Sequence, residues 1–121
     1  MTKFTDDSVM DAALDVIATG TAQHACSAAP ANHAGIAAVS LADVVMVSGD
    51  FTKAAGDTSG RKVTVAAKSG VTVDTTGTAT HIALTDGTTL LLVTEITTPQ
   101  VLTAGNTMNF GSYDHEIADP V

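Results

Sequence analysis

Polar and apolar positions alternate with a period of two over residues 61–67, inside a turn-punctuated β-rich stretch from 49 to 98, whereas a helical period appears clearly in one place, residues 5–18. In residues 61–67, Val63, Val65 and Ala67 fall on one side of an extended chain, and Lys62 and Thr64 on the other. A turn at Lys68-Ser69-Gly70 leads to Val71 and Val73. Asp74-Thr75-Thr76-Gly77 turns the chain into a strand over 78–85, and Asp86-Gly87 turns it into another over 88–97. Asp-Gly between two β-rich runs is a hairpin signal, because both residues tolerate the backbone angles of a tight turn. With Gly49-Asp50-Phe51-Thr52 and a turn over 56–60 ahead of it, this central stretch is expected to form an antiparallel meander.

In the helical stretch Val9, Ala13, Val16 and Ile17 share one face, with Met10 and Leu14 beside them. Thr5 or Asp6 is placed to cap its start. Asp6, Asp7 and Asp11 lie near the positive end of the dipole, and Gly20 stands in the usual C′ position. Residues 21–28 read as a strand with Ala22, His24, Cys26 and Ala28 on one face. Pro30, Asn32 and Gly35 mark a loop, and residues 36–47 read as a short helical turn followed by a strand. Pro99 lacks the amide hydrogen that a central ladder needs, so it marks an edge or a crossing between sheets. Strands follow over 100–103, 107–110 and 113–117, broken by Ala104-Gly105-Asn106 and Gly111-Ser112, before an Asp119-Pro120-Val121 tail.

Roughly seven to nine short strands with turns every 8–12 residues describe a mainly β protein, an antiparallel β-sandwich or jelly-roll-like domain with one N-terminal helix. The chain reads as a single domain, residues 1–121, with the helix over 5–19 and the antiparallel β core over 49–118. Leu90-Leu91-Leu92-Val93 breaks the alternation. Both of its faces are apolar, so both are expected to be covered, by the helix and by sandwich or subunit contacts.

Composition narrows the function. Of 121 residues only 3% are aromatic and none is Trp, so the core is built from Val, Leu, Ile, Ala and Met. With Ala so frequent the core is thin, and burial against copies of itself or a scaffold adds stability. The net charge is −8 with five basic residues. A nucleic-acid binder has the opposite balance, since Lys and Arg supply its phosphate contacts. The acidic exterior suits a basic protein partner instead. No run reaches the ~20 apolar residues of a membrane span. Asp residues interrupt the N-terminal apolar pattern, unlike a signal peptide, so the chain is expected to be made in the cytoplasm. The single Cys26 excludes an internal disulfide framework.

Candidate chemistry is sparse. His24, Cys26 and His33, with His115 or Asp114 as a fourth group, form one possible metal set, but the spacing matches no familiar zinc pattern. The plainer reading is a packed Cys beside two loop or strand histidines. Asp50, Asp57, Asp74 and Asp86 offer oxygens of the calcium-binding kind without the Asp-x-Asp-x-Asp-Gly run of a calcium loop, and Asp favours turns on its own account. Residues 56–62 have a superficial P-loop look without the Gly-Lys-Ser/Thr ending. Arg61 and Lys62 there either meet an acidic partner or offset Asp50 and Asp57. No Gly-x-Ser-x-Gly elbow singles out a serine. His81 reads as an exposed sheet histidine. No catalytic, cofactor-binding or metal residue is therefore assigned, and no cofactor is expected.

Four pieces of the chain carry a resemblance. They are Gly49-Asp50-Phe51-Thr52 with Gly56-Asp57-Thr58-Ser59-Gly60-Arg61-Lys62-Val63-Thr64-Val65; Gly77-Thr78-Ala79-Thr80-His81-Ile82-Ala83-Leu84; Leu102-Thr103-Ala104-Gly105-Asn106-Thr107; and Glu116-Ile117-Ala118-Asp119-Pro120. Together, over roughly residues 40 to 120, they resemble a family of small tailed-bacteriophage virion proteins that look like capsid decoration or cement proteins. The Ala-rich region 25–38 matches less well. The resemblance implies a structural, non-enzymatic homotrimer on the capsid exterior of the virion, with the major capsid protein and itself as partners and neither nucleic acid nor membrane. A tail, collar or fibre-associated β-domain is the alternative within the virion, and a small enzyme or metal module the alternative outside it.

Overall fold

The computed structural model describes residues 4–119. The helix, α1, spans Asp7–Ile17, shorter than expected at both ends. Asp6 keeps extended backbone and accepts a hydrogen bond from the Ser8 amide at 2.9 Å, so it is the N-cap. Gly20 does not end the helix through a left-handed conformation. It instead leaves room for the buried Leu84: a Cβ there would lie 2.7 Å from Leu84 Cδ1 and would force that side chain to shift.

The buried stripe of α1 is Met10, Leu14 and Ile17, while Val9 and Val16 are 61% and 56% exposed. The expected face was centred too far toward Val9, Ala13 and Val16. Two effects select the observed one. Met, Leu and Ile bury more area than Val and Ala. The observed rotation also lets Asp11 and Asp15 reach Arg61 and Lys53 on the sheet below, at 2.9 and 2.5 Å.

The strands are β1 (Ala22–Cys26), β2 (Ser40–Val45), β3 (Phe51–Ala55), β4 (Arg61–Val65), β5 (Lys68–Thr72), β6 (Gly77–Thr85), β7 (Leu90–Leu102), β8 (Thr107–Phe110) and β9 (Tyr113–Ile117). They form a four-stranded sheet in the order β2-β1-β6-β7, a three-stranded sheet β3-β4-β9, and the pair β5-β8. Every pairing is antiparallel. The fold is thus mainly β and sandwich-like, as expected.

The central stretch is not one meander. Only β3–β4 and β6–β7 are hairpins; β4 continues to β9 and β5 to β8. Strands β1 and β2, ahead of residue 49, belong to the same sheet as β6 and β7, so the β core is wider than 49–118. Lys68, Ser69 and Gly70 belong to β5, which bulges against β8, rather than to a turn. Ala67 lies beyond the end of β4 and is exposed, unlike Val63 and Val65.

The Asp86-Gly87 hairpin is present with a four-residue loop. Asp86 Oδ1 accepts from the amides of Thr88 and Thr89, and Gly87 takes φ +98°. The two strands expected on either side of Pro99 are one strand, β7. It carries a bulge in which residues 96–99 lie opposite Thr80 alone. Pro99 sits in this bulge on an edge strand, where its missing donor leaves no ladder position unfilled. Leu90 to Val93 are half-buried on that same edge rather than covered on both faces.

Two apolar clusters fill the interior. Leu14, Ile17, Met46, Val63, Val65 and Leu84 join α1 to both larger sheets. Ala25, Leu41, Ala42, Val71, Val73, Ala79, Ile82, Leu102 and Phe110 pack between the four-stranded sheet and the β5-β8 pair. Small alanines on β1, β2 and β6 let these layers approach. Residues 27–39 form a loop, a 3-10 turn capped by Asn32 and the one-turn helix α2 (Ile36–Val39), which lies against β1. This matches the short helix and strand expected for residues 36–47. Pro30, Ile36 and Cys26 are buried there.

Candidate functional site

The residues of the metal reading are not brought together. His24 and Cys26 share one face of β1, and His33 is close enough for its charge to oppose protonation of His24. Burial is the larger effect and holds the His24 pKa below its ordinary value, with Asp43 opposing it. His24 Nδ1 meets Ser40 Oγ at 2.9 Å. The Cys26 thiol is buried, directed at the His24 carbonyl oxygen at 3.7 Å, and pushed up to about 11 by burial. His115 and Asp114 lie on β9 in the other sheet. Among the described residues no group of three His, Cys, Asp or Glu side chains is placed to hold a metal ion.

The four turn aspartates are equally dispersed. Asp50 accepts from the Val47 amide and pairs with Lys68. Asp57 pairs with Lys62, Asp86 closes its own hairpin, and Asp74 lies against Asp43. The hydrogen bond between the two carboxyls, with desolvation and the like charge of Asp43 behind it, raises the Asp74 pKa. Residues 56–60 are the β3–β4 connection and lead into a strand carrying Arg61 and Lys62, not a helix. Gly60 has φ +70°, and its carbonyl accepts from the Gly56 amide at 2.9 Å. His81 is half-buried opposite Glu95, with Nδ1 2.8 Å from Thr80 Oγ1.

Arg61 and Lys62 point to opposite faces of β4, and both are used within the chain. Arg61 pairs with Asp11 on α1; Lys62 pairs with Asp57 at 2.7 Å and Asp114 at 3.2 Å. With Lys53–Asp15 and Lys68–Asp50, every described Lys and Arg is matched to a carboxylate. Asp43, Asp74, Asp86, Glu95 and Glu116 have no cation partner among the described residues. The excess negative charge is therefore a property of the surface itself.

Among the described residues, two concavities in that surface stand out. One, of about 490 Å³, is a shallow hollow between residues 31–34 and the β6–β7 turn. The other, of about 500 Å³, lies between the bulged half of β7 and the segment joining β8 to β9. Ile82, Ile96, Met108, Phe110 and Tyr113 make its apolar side, and Glu95 is its one charged residue. Sequence reasoning assigned none of these residues to a site. The two available signals were Pro99, which marked an edge, and the doubly apolar start of β7. No family model, curated protein or solved structure matches this chain.

Proposed function

We propose that this chain is a structural subunit of a bacteriophage particle, a decoration or cement protein held on the outside of the head. The observation that carries this reading is the composite string resemblance over roughly residues 40 to 120. Those pieces correspond to the β3–β4 hairpin, β6, the turn between β7 and β8, and the end of β9. The electrostatics support it. A surface whose cations are already paired internally presents carboxylates outward, which suits a basic patch on a capsid lattice.

In this reading the subunit acts by avidity and performs no catalysis. Many modest contacts at symmetry-related positions hold neighbouring capsid subunits together, and a homotrimer multiplies the contacts made by each chain. The test is copy number. Purified particles are quantified for this protein against the major capsid protein. A near-equal ratio is the expected result. A few copies per particle would move the protein to the tail or collar, and absence from the particle would overturn the virion reading.

A further inference from the structure

Residues 27–39 leave β1 and rejoin β2 as a loop that carries the Asn32-capped turn and α2 and lies against β1. Among the described residues, the side chains of 28–39 make no ion pair, and their one hydrogen bond, from the Gly35 amide to Asn32 Oδ1, stays within the loop. Burial of Pro30 and Ile36 holds the loop down, and the Ser27 amide closes its base on the Val39 carbonyl at 2.9 Å. Three of the four histidines surround it, so a pH change between about 5 and 8 acts here first. His24 Nδ1 meets Ser40 Oγ at 2.9 Å, where the loop rejoins β2. His33 stands on the loop itself. His81 Nδ1 lies 2.8 Å from Thr80 Oγ1, which donates to the Ser27 carbonyl at 3.0 Å where the loop begins.

The two ends respond differently to a proton. Thr80 has one hydroxyl proton and gives it to Ser27, so His81 Nδ1 is the donor in its own bond, and an imidazolium with Glu95 opposite keeps that bond. At His24 a charge would enter a half-buried position. Burial resists it most, Asp43 across the β1–β2 ladder favours it, and His33 on the loop resists it. Asp43 also hydrogen-bonds Asp74, and the proton that this pair takes up as pH falls weakens its pull on His24.

We propose that residues 27–39 form an acid-released flap: a proton on His24 favours a state in which the loop lifts from β1 and uncovers Cys26. Lifting separates His24 from His33 and returns its ring to water, so the open state takes the proton more readily than the closed one. The closed-state pKa of His24 is lowered. Closure is therefore fully supported above the ordinary value of 6.5 and weakens as pH falls through the lowered one. Opening exposes Pro30 and Ile36, so the open form stays a minor state whose population pH adjusts. The proposal goes beyond the head-surface reading and does not depend on it.

The test is amide hydrogen exchange of the isotope-labelled full chain at about pH 7.5 and about pH 5.5, corrected for the intrinsic pH dependence of exchange. The amides of Ser27, Gly35, Ile36 and Ser40 close the loop through their hydrogen bonds. They should lose roughly two- to ten-fold in protection at the lower pH, while Val63 and Val65 in the central strand β4 keep theirs. His24→Asn keeps a polar partner for Ser40 without a titrating ring and should abolish the loss. His33→Asn should reduce it, and His81→Asn should leave it in place. The His24 ring, followed by NMR in the wild type, should titrate with a midpoint below 6.5. Wild-type protection independent of pH, a loss that survives His24→Asn, a loss shared equally by Val63 and Val65, or a His24 midpoint at or above 6.5 would each overturn the proposal.

Discussion

The Tyr113 hydroxyl donates to Gln23 Oε1 at 3.0 Å, joining β9 to β1 across 90 residues of sequence. Gln23 is fully buried, and its amide nitrogen lies 3.2 Å from Met46 Sδ. The pair sits where the four-stranded and three-stranded sheets meet, between the two apolar clusters, and Tyr113 packs against both. A buried polar side chain is tolerated when its hydrogen bonds are made, and it then specifies how the layers align. Burial also raises the pKa of the Tyr113 phenol, which keeps it a donor at any ordinary pH.

Tyr113→Phe removes the donor and strands Gln23 Oε1 in the interior. A loss of about 1–3 kcal/mol in unfolding free energy is expected by urea denaturation. Adding Gln23→Leu removes the orphaned acceptor, so the double variant should lose less than the two single losses combined. Strict additivity would show that the two groups do not act as a pair.

The phase of α1 is tested by paired truncations. Leu14→Ala should cost about 2–5 kcal/mol, because it opens a cavity against Val63, Val65 and Leu84. Val16→Ala, one face away, should stay within about 0.5 kcal/mol. Equal losses would return the helix to the orientation that its apolar periodicity alone implied.

Asp74, set against Asp43, gives a pH signature of opposite sign to Asp50, Asp86 and Asp114. The folded pKa of Asp74 is raised, so its contribution is full below the ordinary value of 3.8 and is lost as pH rises through the raised value. Asp50, Asp86 and Asp114 have lowered pKa values, from a backbone amide at Asp50 and Asp86 and from Thr64 and Lys62 at Asp114. Their stabilisation is present above the ordinary value and lost as pH falls. Asp74→Asn should therefore raise the Tm at pH 7 and lose that advantage near pH 3, while both proteins weaken in acid. His24 stands near Asp43, and burial holds its pKa below the ordinary value, so it is largely neutral in the pH 7 arm of the comparison. A Tm difference independent of pH would remove the carboxylate pair as its cause.

Cys26 should resist a disulfide reagent such as DTNB at pH 8 in the native state and react at once in denaturant. Its thiol is fully buried, and its raised pKa leaves little thiolate. Rapid native labelling would show that residues 27–39 open readily from β1.

The local pieces were legible in the chain before folding. Period-two patterning, Asp-Gly, Asn and Gly turns, and the single helical stripe placed nearly every strand and the helix within a few residues, because backbone preference and side-chain alternation act over two to four positions. Composition likewise determined the acidic surface. The tertiary structure alone decided which strands pair. β5 skips β6 and β7 to pair with β8, and β4 skips β5 through β8 to pair with β9, since pairing depends on which faces can be buried together over long separations. It decided that Gly20 exists for Leu84 rather than for a helix stop, and that Arg61 and Asp11 turn α1 onto Met10, Leu14 and Ile17. It also set the groove, whose walls come from β7, β8 and β9 and are adjacent only after three sheet edges have been brought side by side.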